Sequence, residues 1–189
     1  RRVMVPASVV ALAALGFSDK ISCPWFAPAG FNRGALDFVK NVDVRLSSED
    51  RNDLYDARIN PIATFPRTGF VIFGQKTMQR LKSALDRVNV RRLVLEVKRI
   101  VSDIARDLVF EQNVQATRQK FINRSILQLG LIQAQSGIES FKVVMDDTNN
   151  SKEDEENLKL NGRVIMVPTR TAEFISIDFV ITSEGIKFV

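Results

Sequence analysis

The chain has 189 residues, 45% of them hydrophobic and 26% charged, with a net charge of +5; that is enough to bury one core, and it lacks the composition of a disordered segment. It contains no histidine and a single cysteine, Cys23. This excludes serine–histidine and cysteine–histidine catalysis, and zinc sites built on histidine or on several cysteines. It also leaves no internal disulfide, as suits a reducing compartment such as a cytoplasm.

The sequence starts at Arg1 rather than at methionine, so it is read as a piece of something longer. Two arginines followed by an apolar run to Phe17 copy the outline of a secretory signal. Pro6 stands at a natural first helical position, however, and the run is too short to span a bilayer, so the expectation is a buried helix from about Pro6 to Leu15. No other segment is apolar enough for a membrane. Ser18 to Gly34 is dense in proline and glycine, yet it holds Trp25, Phe26 and Phe31. Rings of that size are costly to leave in water, so this is an ordered loop that packs down. A short extended piece at Ala35 to Val39 follows, then a helix from about Glu49 to Ala57 capped by Ser47 or Ser48 and closed by Asn60-Pro61.

Gly69 to Thr77, Gly-Phe-Val-Ile-Phe-Gly-Gln-Lys-Thr, is one inserted residue away from a phosphate-binding Walker loop. That loop needs lysine directly after its second glycine and flexible residues between the glycines. Phe70 to Phe73 instead forms a buried strand by its composition.

Val90, Leu93, Val94, Val97, Ile100, Val101, Ile104, Ala105, Leu108 and Val109 recur at three- and four-residue spacings. They predict a long helix with one apolar face, capped by Asn89. A second helix runs from Gln115 to about Ala134, with an exposed polar first half, then Phe121, Ile122, Ile126, Leu127 and Leu131, and Gly137 ending it. Beyond it the period changes to that of strands, at Ser140 to Met145, Arg163 to Pro168 and Ala172 to Thr182, spaced for antiparallel pairing. The fold class that follows is α/β of the α+β type: a small mixed, mainly antiparallel sheet packed with the two long helices, its edges open to further pairing.

Between Lys76 and Arg124 twelve basic residues face five acidic ones, whereas Asp146 to Glu156 holds six acids and one lysine. Solvated helix faces and an acidic loop account for this pattern; so does a basic helical surface that meets an acidic partner, either nucleic acid or protein. Asp146-Asp147-Thr148-Asn149-Asn150 lacks the ligand alternation and the central glycine of a calcium loop, so no metal and no cofactor is expected.

Several motifs go further when taken together. Pro24 to Gly34, Ala57 to Ile62, Gly69 to Thr77, Asp86 to Leu93, Val143 to Asn150 and Pro168 to Ile175 resemble, in one order along nearly the whole chain, the conserved inner, C-terminal region of contractile-tail sheath proteins, those of large tailed phages most of all. The resemblance implies that residues 1–189 form that inner domain, without the variable outer domains. It implies a non-enzymatic structural subunit, a homopolymer of sheath subunits around a tail tube protein, with baseplate and tail terminator as further partners. It places the protein in the virion after assembly in the host cytoplasm, and it implies contraction that drives the tube through the host envelope. In this family terminal strands add to the sheets of neighbouring subunits.

On that reading the candidate inter-subunit strand is Glu173, Phe174, Ile175, Ser176, Ile177, Asp178, Phe179, Val180, Ile181 and Thr182. The candidate tube- or neighbour-facing basic residues are Arg91, Arg92, Lys98, Arg99, Arg118, Lys120 and Arg124. No nucleic acid and no membrane insertion is expected. The competing class is a basic nucleic-acid-binding module, favoured by a pI near 9.6; against it, acids are mixed among the basic residues and no aromatic stacking platform accompanies them.

Overall fold

The computed structural model describes residues 3–176, together with the backbone of residues 181–182 and 185–186. In chain order the helices are α1 (Ala7–Ile21), α2 (Ser48–Asp56), α3 (Val88–Arg106), α4 (Gln115–Ala134) and α5 (Lys152–Glu156), with a 3-10 turn at Ala84–Asp86. The strands are β1 (Ile62–Phe65), β2 (Gly69–Ile72), β3 (Ile138–Val144), β4 (Arg163–Pro168), β5 (Ile181–Thr182) and β6 (Gly185–Ile186).

The α+β class holds, but the single sheet expected from the sequence is three separate antiparallel ribbons of two strands each, β1-β2, β3-β4 and β5-β6. β1 to β4 have four to seven residues and bury one face on helices or loops, β5 and β6 have two each, and no parallel crossover is present among the described residues.

The main core lies where α3 and α4 meet the inner face of β3-β4. Leu93, Val97, Leu129, Ile132 and Ile138 are buried there, and Trp25, Phe141, Val143, Val164 and Met166 pack around them. The register opposes Phe141 to Met166 and Val143 to Val164 on the inside. Ser140 opposes Val167, and Lys142 opposes Ile165, on the outside. Each fully buried leucine or isoleucine contributes about 1.5–3 kcal/mol by leaving water. A second cluster joins α1 to β2 through Val10, Ala14, Leu36 and Ile72, and a third joins Leu108, Phe121 and Met145.

Helix α1 runs to Ile21, six residues past the expected Leu15, because Gly16 is tolerated inside it. Helix α2 matches its predicted span; the Ser47 hydroxyl and the Asp50 carboxylate cap it reciprocally. Asn89 is not the cap of α3: it lies inside the helix, 3% exposed, and its amide donates to the Trp25 carbonyl at 3.3 Å. Ala35 to Val39 forms no strand, only a bridge from Ala35 to Val71 and a hydrogen bond from the Leu36 amide to the Phe70 carbonyl. The bounds of α4 are as expected, but its stripe is not. Thr117, Arg118, Phe121, Ser125, Leu129 and Ile132 point inward, while Ile126, Leu127 and Leu131 face out. Ser136, in the left-handed region at φ 60°, closes the helix, and the Gly137 amide bonds the Ile132 carbonyl at 2.9 Å.

Candidate assembly surfaces

The loop that carries Trp25 is an internal joint. The indole N–H donates to the Gln135 carbonyl at 3.1 Å, and the ring packs on the core between α3 and α4. The Walker-like stretch is used for packing as well. Val71 and Ile72 are buried in β2, and Lys76, where a phosphate lysine would stand, donates its ammonium to the Tyr55 carbonyl at 2.6 Å and lies over the Tyr55 ring. Burial, with Arg87 and Arg58 nearby, lowers the Lys76 pKa.

The β3-β4 ribbon is held from one side only. Its inner face rests on α3 and α4, and its outer face exposes Lys142, Ile165 and Val167. Among the described residues neither strand pairs with a third, so each has one edge with no strand beside it, although Gln133 and Asn149 donate to the Glu139 and Val144 carbonyls of β3.

After Pro168 the chain departs from the expected strand. The Thr169 amide still reaches the Gly137 carbonyl at 3.2 Å, but residues 171–176 form no strand. They lie against α2 and the start of α3 through Glu173 and Phe174, and among the described residues they make no backbone–backbone hydrogen bond. Residues 177–180 of the candidate strand lie outside the described residues, and Ile181 and Thr182 pair with Ile186 and Gly185.

Glu173 fixes the stretch. Its carboxylate accepts from Arg87 Nε at 2.7 Å and Nη2 at 3.0 Å, from Gln75 Nε2 at 3.2 Å and from the Tyr55 hydroxyl at 3.3 Å. The Gln75 amide also donates to the Thr171 hydroxyl at 2.7 Å, and the Phe174 ring meets Tyr55 edge-on. Burial alone would raise the Glu173 pKa, but the bonds from Arg87 and Gln75 hold it below the ordinary glutamate range. Burial and the Glu173 charge push the Tyr55 hydroxyl up.

The basic candidates separate into two groups. Arg91, Lys98, Arg99, Lys120 and Arg124 are exposed; Arg99 pairs with Glu96 and Asp103, and Arg124 pairs with Asp107. Arg92 is half-buried against Asp19, which ties α3 to α1. Arg118 is turned inward. It is 5% exposed, and its guanidinium is taken by Asn113, by Asp147 at 2.7 Å and by Glu155. Those bonds, that to Glu155 first, raise its pKa. The acidic segment is therefore the internal counter-charge of α4. Asn149 and Asn150 brace it by donating to the Asn161 carbonyl at 2.7 and 3.0 Å. No cluster of potential metal ligands occurs among the described residues.

Two features escape sequence reading: the burial of Arg118, and the gathering of Tyr55, Gln75, Arg87 and Glu173. A lone acid in an otherwise uncharged run, Thr171 to Ile177, was the available signal for the second.

No protein-family profile matches the chain. It is 38% identical over 172 residues to the tail sheath protein of Vibrio phage KVP40, covering 91% of this chain and 26% of that protein. To the tail sheath protein of Enterobacteria phage T4 it is 31% identical over 188 residues, covering 100% of this chain and 28% of that protein. It thus spans about a quarter of the length of these relatives. Among solved structures, the helical sheath of the anti-feeding prophage in its contracted state aligns with a TM-score of 0.82 at 28% identity, over 94% of this chain and 51% of that one. The sheath complex of an extracellular contractile injection system, PVC, in its contracted state aligns with a TM-score of 0.87 at 24% identity, over 97% and 53%, a likeness of fold.

Proposed function

We propose that this chain, a relative of contractile-tail sheath proteins over almost its whole length, is the inner, C-terminal domain of a sheath subunit and works by polymerising around a tail tube. The observation that carries the reading is the two-stranded β3-β4 ribbon, anchored on two helices and, among the described residues, with no third strand at either edge. An added strand would satisfy those edge groups with a partner's backbone, which turns an aggregation hazard into a joint between copies. The residues from Glu173 to Thr182 begin the segment that supplies such a strand to a neighbour.

The role is mechanical and not enzymatic. Its partners are further copies, the tail tube protein, the baseplate and the tail terminator, in a virion assembled in the host cytoplasm. Arg91, Lys98, Arg99, Lys120 and Arg124, all exposed, are the cations left for the tube or for adjacent subunits. Exposed pairs of this kind contribute about 0–1 kcal/mol each, so they are broken and remade at little cost when the subunits shift.

Negative-stain electron microscopy of the full-length parent protein in physiological salt tests the proposal. Tubular polymers with a wide lumen, lost when the chain is trimmed after Arg170, are the expected result. A monomer that coats added DNA, with affinity falling steeply as salt rises, would overturn it in favour of a nucleic-acid-binding module.

A further inference from the structure

The segment after β4 is held in an unusual way. Between Arg170 and Ser176 its links to the body among the described residues are side-chain contacts, made by Thr171, by Glu173 and by the edge of the Phe174 ring on Tyr55. Beneath and beside it lie two cavities of about 340 and 490 Å³, both lined by Thr171, Ala172, Glu173 and Phe174. Phe174 and Ile175 are each 80% exposed. The segment is therefore pinned chiefly at Glu173, which takes four of its hydrogen bonds, and is not packed down along its length.

The socket that pins it is drawn from three places: Tyr55 on α2, Gln75 after β2, and Arg87 at the start of α3. The backbone fastens the last two together, since the Val88 amide donates to the Gln75 carbonyl at 2.8 Å and Lys76 bridges to Arg87. Arg87 takes the carboxylate with two parallel N–H groups, and the side chains of this pair are 24% and 23% exposed. Lys76 and Arg58 stand close to Arg87, so without Glu173 the socket keeps clustered cations with less to balance them. The site selects a carboxylate.

We infer that Glu173 is a latch: seated on Arg87, Tyr55 and Gln75, it fixes where the C-terminal segment leaves the body and so aims that segment for addition to a second copy. The aiming rests on the sheath reading; the latch itself does not. A segment whose exit is fixed loses less conformational freedom when it pairs, so assembly proceeds at lower protein concentration.

Backbone ¹⁵N relaxation on the 189-residue chain tests the latch directly. In the unsubstituted chain Ala172 to Ile175 should show order parameters near those of rigid backbone, roughly 0.8, and E173Q or R87A should bring them below about 0.6. Trypsin should then cut after Arg170 several-fold faster. The charge-swapped pair R87E/E173R should recover part of the order, which a merely destabilised fold would not. Unchanged order parameters in E173Q would overturn the latch. The aiming is tested in the full-length parent by the critical concentration for polymerisation, which E173Q should raise about tenfold. An unchanged value alongside a loosened segment overturns the aiming and leaves the latch standing. A parent that forms no polymer even without substitution overturns the aiming together with the sheath reading, while the relaxation result still decides the latch.

Discussion

Replacing Arg118 by methionine probes the claim that the acidic segment is an internal counter-charge. Methionine preserves much of the buried stem and removes only the guanidinium, so the change isolates the head group. That head donates to Asn113, Asp147 and Glu155. The side chains of Asp147 and Glu155 are 89% and 46% exposed, so both carboxylates return to water when their partner goes. The loss is therefore far smaller than for a fully buried pair, and about 1–2 kcal/mol is expected. For a chain of this size that lowers Tm by roughly 2–8 °C. Arg118→Lys should recover little, because one ammonium cannot replace a planar fork that reaches three acceptors. Thermal melts at low salt and again at about 1 M salt, where the Debye length is near 3 Å, should show the gap narrowing. Limited proteolysis should meanwhile find the 146–156 stretch cut faster. A melt within 1 °C of the parent chain, with proteolysis unchanged, would refute the reasoning and return Arg118 to the surface cations.

Leu129→Ala, at a position 0% exposed in the main core, should cost about 2–5 kcal/mol in urea unfolding, with no change in the m-value. Gly34→Ala should also destabilise, since an added Cβ would lie 2.8 Å from the Ile72 carbonyl oxygen and 2.9 Å from the Gly30 nitrogen; its readout is a lower Tm with loss of order around β2. Glu173 carries a pH signature. Its pKa is lowered in the folded chain from the ordinary 4.5, so the unfolded chain binds the proton more readily. The stability it contributes is complete at neutral pH and is lost as pH falls through the folded value. Unfolding measured against pH should show the parent chain's advantage over E173Q vanishing on acidification, and an advantage that persists at low pH would assign it to another cause.

The sequence states its helices better than their orientation. Gln115 to Ala134 is bounded by loop residues, so its ends are legible, but Thr117, Arg118 and Ser125 are polar and still turn inward. The partners that allow Arg118 to do so, Asp147 and Glu155, arrive 29 and 37 residues later. Periodicity counts apolar residues and has no access to such pairing, so Ile126, Leu127 and Leu131 were placed inside in their stead. The expected strands Ser140 to Met145 and Arg163 to Pro168 are present as β3 and β4, whereas the last one departs over its described residues for a related reason. Alternation from Phe174 onward satisfies a strand pattern, but a strand also needs a partner in register, and Glu173 instead takes the segment to Arg87. Beside that, Tyr55, Gln75, Arg87 and Glu173 share no local spacing, so their meeting is a property of the fold. The Trp25 loop was legible because its rings had to be buried somewhere.

A ribbon of two strands has a valence. Among the described residues each of β3 and β4 is bonded to a strand on one side only, so on the proposed reading a copy would offer two edges to the strands of others. On that reading two incoming strands would make a four-stranded sheet whose outer edges belong to the incoming strands. Because such bonds would form at the rim while the hydrophobic contacts of Leu93, Leu129 and Ile138 lie behind them, a joint of that kind would leave each copy's interior closed.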